Sequence, residues 1–513
     1  MSDTEANKRI VQQFWDALAA RDWDGMKALL FDLEGRPVAT ATMAYGLTTP
    51  RPGWVEQDPE ALWQAVIAAV REVVGRQPRA TRILALSLAS QGGTTIPVDA
   101  AKAPTYNAIS WMDERGTAQA VRIRETMNPD EIYTTTGWPH GNTLPLKHIA
   151  WLRDERPDVF ARTVSIRFVN DFVVERLTGV AVMNPSDASI TQLFNIATVD
   201  WDERLLELAG ITRHQVAPVW PSGRAVGSLT AEASRITGLP PGTMVINGAH
   251  DQYCAAVGTG VTRPGTVLLS CGTAWVILAV PEDLEGGLAS GMAISCHAVS
   301  GRWGAIRSLG GVGASLEWFL NQIWCPSDTA ARAEAYTALN DAAAQAPAGA
   351  RGLLFYPLAG GHGLTDNGRG GMMNLALDHT RGDMARAVME GISFELRWAL
   401  DEITARGVPV ECLTMVGGAA ESPLWPRIVA DSTGLPVNLP SITQAAARGA
   451  AILAGVGAGV FPDAESGFGA LKGQETRLVP GTNQTYDALF ARYRALHDAV
   501  TRVSTQNQGE ILA

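Results

Sequence analysis

Apolar positions along this chain change their spacing repeatedly, and each change marks a new element. Ile10, Val11, Phe14, Trp15 and Leu18 recur at helical spacing, with Asp3 or Thr4 able to cap the start, so residues 1–26 predict an amphipathic helix. From Lys27 the pattern switches to KALLFDLEGRPVATA, a strand, a Glu34-Gly35 turn and a second strand. Asp58 as N-cap and Pro59 at the first helical position then open a helix whose buried stripe is Leu62, Val66, Ala69, Val70 and Val73. Further strands are expected at Arg82–Leu88 and Met244–Ile246, and a hairpin at Thr266–Leu269 and Trp275–Ala279. Leu413–Val416 reads as a strand as well, while Ala387–Leu400, the Ala-rich run from Ala445 and Tyr486–Val503 read as helices, the last packing on a second domain.

The turns between these elements carry the candidate chemistry. A glycine turn after Ile246 sets out His250, Asp251 and Gln252, and the turn Ser270-Cys271-Gly272-Thr273 offers backbone N–H groups and a hydroxyl that can hold a phosphate. A carboxylate and a phosphate cradle this close in sequence suggest phosphoryl transfer. Glycines at 310, 311 and 313 precede a helix marked by Leu316, Trp318, Phe319 and Leu320, where N–H groups can face a nucleotide. No GxxxxGK[ST] occurs, and Gly455 to Gly459 falls late in a helical pattern rather than after a strand, so neither a P-loop nor a dinucleotide fingerprint is present. Asp113 beside Arg115 can accept from and donate to adjacent hydroxyls, or form a surface ion pair.

Bulk properties narrow the class. A length of 513 residues favours two or more domains, and 46% hydrophobic with 18% charged residues is ordinary for a globular protein. The net charge of −11 argues against nucleic acid or an anionic membrane as partner. Cys254, Cys271, Cys296, Cys325 and Cys412 are scattered without a CxxC pair, which fits a reduced, cytoplasmic protein. No signal-peptide pattern is visible, the histidines show no metal-ligand spacing, and the longest apolar run, 449–461, is too short to span a bilayer.

The stretch VINGAHDQYCAAVGTGVTRPGTVLLSCGTAWVILAV at 245–280 resembles the centre of the FGGY family of carbohydrate kinases. So do GWVEQDP at 53–59, the W-x-D-x-R pattern at 111–115, SIRFVNDFVVERLTG at 165–179, Asp187-Ala188-Ser189, LLFYPLAGGHGLTDNGRGG at 353–371 and TMVGGAAESPLW at 414–425. The likeness extends from about Lys27 to about Leu496. It implies an α/β protein with two ribonuclease-H-like domains of the actin and hexokinase type facing a cleft. Residues 27–255 would form the sugar-binding domain and 256–513 the ATP-binding domain, after an atypical helix at 1–26.

The resemblance also implies roles. Asp251 would be the general base and help hold Mg2+; Gln91, Gly92, Gly93, Trp111, Asp113, Arg115 and Gln252 would contact a small sugar or polyol. Gly272, Thr273, Gly313, Glu317, Gly418 and Ser422 would bind ATP, and a homodimer is compatible with the likeness. Two departures stand out. Where the family carries an Asp-x-Gly-Thr phosphate turn, this chain has AARDWDGMK, with Asp22, Asp24 and Gly25 but no Gly-Thr, which admits a catalytically impaired sugar- or nucleotide-binding protein as the alternative. Gly92 and Gly93 stand where bulkier polar side chains are usual, which would leave room for a larger substrate, and His250 reads as a locally hydrogen-bonded histidine or, alternatively, as a supporting partner of the site residues.

Overall fold

A computed structural model describes residues 25–78, 81–324, 332–358, 360–361, 370–441, 444–471, 473–481 and 484–506. The helix expected at 1–26 (but for Gly25 and Met26), the Asp22 and Asp24 pair, and His362 lie outside the described residues. Contacts divide the chain into two compact units. The first runs to Thr262 and adds Gly291–Gly304 and Gln444–Lys472; the second holds Arg263–Ser290, Ala305–Thr443 and the residues from Gly473. The domain boundary drawn at 255/256 remains a proposal, because these units are grouped by packing and are discontinuous in sequence.

In the first unit, β1 (Met26–Phe31) and β2 (Pro37–Met43) form the expected antiparallel hairpin. Its turn is fixed by Asp32, whose Oδ1 accepts from the N–H groups of Glu34 and Arg36 at 3.0 and 2.9 Å, with Gly35 at φ 77°. Helix α1 (Pro59–Gly75) begins as expected: the Asp58 side chain accepts from Glu60 N and Pro59 occupies the first turn. Its Leu62 and Val66 enter a core with Phe172, Val173 and Val245. Strands β3 (Ala85–Ser90), β4 (Ala225–Ser228) and β5 (Met244–His250) make a sheet in the order β4-β5-β3, with β5 antiparallel to β4 and parallel to β3.

Strand β5 is longer than the sequence suggested. The glycine turn expected after Ile246 is a bulge inside the strand: Ile246 pairs with Ser87 and Ala249 with Ala89, so Asn247 and Gly248 together oppose Leu88. A Cβ on Gly248 would lie 1.9 Å from Leu88 O, which leaves glycine as the residue that fits. Helix α2 (Asp251–Thr259) follows β5 without a loop. It crosses α3 (Ala445–Gly457) in backbone contact; a Cβ on Gly258 would lie 2.0 Å from Ala445 O and one on Gly449 1.8 Å from Cys254 O. The buried Arg448 guanidinium donates to Gly258 O at 2.5 Å across the same crossing.

The second unit holds β6 (Gly265–Cys271), β7 (Trp275–Ala279), β8 (Trp303–Ser308) from Ala305 onward, β9 (Val410–Val416), β10 (Val437–Pro440) and β11 (Glu475–Leu478), in the order β8-β7-β6-β9-β10-β11. Pairs β6–β9 and β9–β10 are parallel. Helix Arg381–Ala405 packs on this sheet, and the final helix, Gln484–Gln506, docks through buried Tyr486 and Tyr493. Tyr493 stacks on Tyr356 at 4.4 Å between centroids, and Tyr486 Oη donates to Glu390 at 2.7 Å.

The two hairpins are less alike than their sequences suggest. Strand β6 is ladder-bonded on both sides, to β7 and β9, and most of it is buried. Strand β1 pairs, among the described residues, with β2 alone and is half-buried at every position.

The α2–α3 crossing gives a stability test. Gly258→Ala should destabilise by roughly 1–3 kcal/mol through overpacking, read as a lower urea midpoint. Gly227→Ala, where an added Cβ meets nothing within 4 Å, should leave the midpoint close to wild type.

Candidate active site

The parallel pair β3 and β5 ends at Ser90 and His250, which are register partners, and both chain directions deliver polar groups there. Asp251 opens α2, with its side chain 45% exposed and Oδ1 3.5 Å from His250 Nδ1. Gln252 follows it in the first turn of α2, partly buried. After β3, Gln91 is held by its neighbours: its Nε2 donates to Gln57 Oε1 at 2.6 Å and Thr94 Oγ1 at 3.0 Å, and its Oε1 accepts from Tyr45 Oη at 3.4 Å. Burial raises the Tyr45 phenol above its usual value; a bond with Gln57 offsets part of this and the Asp251 charge adds to it. Tyr45 therefore joins Gln91 to Asp251 electrostatically.

The two glycines after Gln91 do not open a larger pocket in the way the sequence implied. A Cβ on Gly92 would meet His250 Cδ2 at 2.5 Å and Ile190 Cγ2 at 2.8 Å, so the imidazole and Ile190 fill that volume. Gly93, at φ 73°, lies against the Cβ of Trp111, a residue that is 42% exposed. His250 is not locally hydrogen-bonded either, because its buried Nδ1 has no partner within the protein.

Asp113 and Arg115 form a buried, fully engaged pair rather than a surface one. Arg115 Nε and Nη2 donate to the two Asp113 oxygens at 2.8 Å each, and Nη2 also donates to Glu56 Oε1 at 2.8 Å. Asp113 further accepts from Val55 N and Arg115 N. The guanidinium lies 4.1 Å from the Trp54 centroid and 4.8 Å from that of Trp151. Their hydrogen bonds are made inside the protein, to each other, to Glu56 and to the backbone at Val55.

In the second unit the predicted nucleotide residues gather at the end of β6 and β9. The turn Gly272–Ala274 is exposed, shorter than expected because Ser270 and Cys271 belong to the strand. A Cβ on Gly313 would lie 2.2 Å from Gly272 O and 3.0 Å from Thr273 O, so the helix Ala314–Phe319 starts against that turn. Gly417, at φ 94°, abuts Cys271 O, and Gly418 beside it faces open space. Glu317 and Ser422 are committed elsewhere. Glu317 accepts from Tyr336 Oη at 2.7 Å and Asn321 Nδ2 at 3.2 Å and pairs with Arg332. Ser422 Oγ donates to Asn340 Oδ1 at 2.5 Å and accepts from Leu424 N and Trp425 N, capping the helix Trp425–Thr433.

Family models give the frame for these two clusters: the N-terminal domain of the FGGY family of carbohydrate kinases matches residues 24–258 and the C-terminal domain matches 267–458. The chain belongs to the FGGY family of carbohydrate kinases. It is 27% identical over 490 residues to the L-xylulose/3-keto-L-gulonate kinase of Escherichia coli K12, covering 94% of this chain and 96% of that one. It is 33% identical over 454 residues to a glycerol kinase of Gloeobacter violaceus, with 86% and 87% coverage. The crystal structure of xylulose kinase from Rhodospirillum rubrum superposes with TM-score 0.83 at 26% identity, covering 93% and 97%. As an FGGY carbohydrate kinase, the chain is a phosphotransferase with an alcohol group as acceptor and the α/β fold of the actin and hexokinase type.

Within this kinase the structure adds residues that local pattern missed. Tyr45 and Gln57 join Gln91, and Asp187 lies fully buried under Ser90, whose Oγ donates to Asp187 Oδ2 at 2.7 Å. Burial pushes the Asp187 carboxyl up to about 6 against the opposing effects of His250, Ser90 and Asn184. Gln57 and Asp187 lie in segments that the resemblance already marked, GWVEQDP and Asp187-Ala188-Ser189, without a role assigned to them; Tyr45 carries no local signal. No group of three or more metal-ligating side chains occurs among the described residues, and no described helix is long and apolar enough to cross a membrane.

Helix Pro145–Glu155 carries two fully buried basic residues, Lys147 and His148. Burial holds Lys147, whose Nζ donates to Gln192 Oε1, down to about 7, and His148, bonded to Thr95 Oγ1, down to about 4. The folded Lys147 pKa is below its unfolded value of 10.5, so between about 7 and 10.5 the unfolded chain binds the extra proton and stability rises with pH. Lys147→Met should remove that slope, at most about 1.4 kcal/mol per pH unit. Urea midpoints at pH 6 to 10 should favour the variant most at low pH, and a pH-independent difference would contradict this.

Proposed function

We propose that this kinase transfers the γ-phosphoryl group of ATP to a hydroxyl of a small sugar or polyol, with Asp251 as general base. The observation that carries the reading is the placement of Asp251: a half-exposed carboxylate at a helix start, directly after a parallel strand, beside His250 and the Gln91 network. Asp251 takes the hydroxyl proton as the oxygen attacks phosphorus, the new O–P bond forms, and the bond to the departing ADP breaks. Gln91, Gln252 and the exposed face of Trp111 orient the acceptor, and the Asp113–Arg115–Glu56 cluster holds the segment beside them.

The turn Gly272–Ala274, the helix start at Gly313 and the open position at Gly418 supply close backbone approach for the nucleotide. Asp251 would help hold Mg2+, which would supply charge neutralisation at the phosphates; a lone carboxylate suits an ion that is held mainly by phosphates and water. Relatives named for xylulose, 3-keto-gulonate and glycerol support an open-chain ketose, sugar acid or polyol as acceptor. The four described cysteines are free, three of them buried, which suits a reducing compartment such as the cytoplasm.

A second reading, a kinase-like binding protein with impaired transfer, draws on the first hairpin. Strand β6 leads into its phosphate turn from between two ladder partners, whereas among the described residues β1 has β2 alone. The sequence before β1 also lacks a Gly-Thr turn.

ADP formation across a panel of ketoses, aldonates and polyols separates the two readings. The kinase predicts acceptor-dependent ADP release that Asp251→Ala lowers by ~10²–10⁴-fold. A flat panel with intact ATP binding supports the impaired reading. Gly313→Ala, which forces a Cβ against the Gly272 carbonyl, should raise the KM for ATP about tenfold, or ~1.4 kcal/mol, and leave the acceptor KM unchanged.

A further inference from the structure

Polar side chains recur every fourth residue along the helix Arg332–Gln345, so Arg332, Tyr336 and Asn340 lie along one face. Each of them engages a residue beside one of the two turns assigned to the nucleotide. Arg332 pairs with Glu317, Tyr336 Oη donates to Glu317 Oε2 at 2.7 Å, and Asn340 Oδ1 accepts from Ser422 Oγ at 2.5 Å. Glu317 lies one turn into the helix that starts at Gly313 against the Gly272 carbonyl, and Ser422 ends the short helical turn Gly418–Glu421. All of these residues belong to the second unit.

The hydrogen bonds of Ser422 are complete within the protein. Its one hydroxyl hydrogen goes to Asn340, and its two lone pairs receive Leu424 N at 3.2 Å and Trp425 N at 3.0 Å. What Ser422 can give a nucleotide is therefore the place of the Gly418 turn. Asn340 Nδ2 in turn donates to Tyr336 O at 2.8 Å, which ties the two contacts together one helical turn apart. The other side of the helix is braced. Leu339 and Ala343 are fully buried, a Cβ on Gly382 would lie 2.4 Å from Ala342 O, and the buried Arg386 guanidinium donates to Ala346 O at 3.0 Å. The polar stripe thus stands on a helix in backbone contact with the long helix Arg381–Ala405.

We propose that Tyr336 and Asn340 are positioning residues for the nucleotide: together they hold the helix start at Gly313 and the turn at Gly418 at a fixed separation, so that both backbone approaches meet one ligand. The proposal rests on the reading of these turns as the ATP site and deepens it. Tyr336 acts through Glu317 and Asn340 through Ser422, each a supporting side chain behind the groups that face the ligand. Arg332 contributes less, because its side chain is 43% exposed and an exposed ion pair adds little.

Calorimetric titration of the full chain with ADP reads this without turnover. Tyr336→Phe, which removes one bond and keeps the ring, and Asn340→Leu should each weaken ADP binding about three- to tenfold. The KM for ATP should rise to match, with the acceptor KM unchanged. Thr337→Ala, at an exposed position of the same helix, should leave ADP affinity at the wild-type value. In a Ser422→Ala background, Asn340→Leu should add little, because its effect passes through the Ser422 hydroxyl. Unmoved ADP affinity in Tyr336→Phe and Asn340→Leu, a loss confined to thermal stability, or effects that multiply in the double variant would overturn the proposal. Weakened ADP binding in a chain that turns over no acceptor would leave the proposal standing and sink the transfer reading, whereas a wild type that binds no ADP would sink both. If Asn340→Leu fails to fold, Tyr336→Phe decides alone, since loss of a hydroxyl leaves the packing of the ring in place.

Discussion

The close backbone approach of β5 to β3 at Gly248 is the constraint on which the candidate acceptor site depends. With 1.9 Å between a would-be Cβ and Leu88 O, the two strands are locked at one register. The bulge at Asn247 and Gly248 then advances β5 by one residue relative to β3. That shift sets His250 beside Ser90 and places Asp251 at the first position of α2. Asn247 secures the bulge through bonds from its Nδ2 to the Met183 and Trp220 carbonyls. Side chains at the strand ends thus inherit their positions from backbone packing several residues earlier.

Glycine does comparable work elsewhere in the chain. Gly258 and Gly449 let α2 and α3 cross in backbone contact, which holds the helix that begins at Asp251. In the second unit, Gly313 and Gly417 bring a helix start and a strand end against the turn after β6. At Gly313 and Gly417 a methyl group would separate elements whose backbone groups are the candidate ligands. Sites built this way bind phosphate through N–H groups and tolerate little change in the surrounding sheet.

Much of this was legible in sequence where the signal is local. Asp58 and Pro59 followed by an apolar stripe specified α1, and β-rich runs around Gly272 specified the second hairpin. The family resemblance singled out Asp251 and, in the second unit, the glycine turns at Gly272, Gly313 and Gly418. Long-range partners were not legible. Asp113 and Arg115 look like a surface pair because Glu56, Trp54 and Trp151, which bury them, lie far away in sequence. Gly92 looks like vacant space until His250, more than 150 residues on, is seen to fill it. Gly248 looks like a turn former because a bulge and a turn ask for the same residue, and only strand pairing distinguishes them.

The account's central claim is that Asp251 faces the hydroxyl that receives phosphate. A crystal structure with the preferred acceptor bound tests it most directly. The account predicts an acceptor hydroxyl within hydrogen-bond reach of an Asp251 carboxylate oxygen, ~2.6–3.2 Å. An acceptor bound with every hydroxyl out of reach of Asp251 would contradict it.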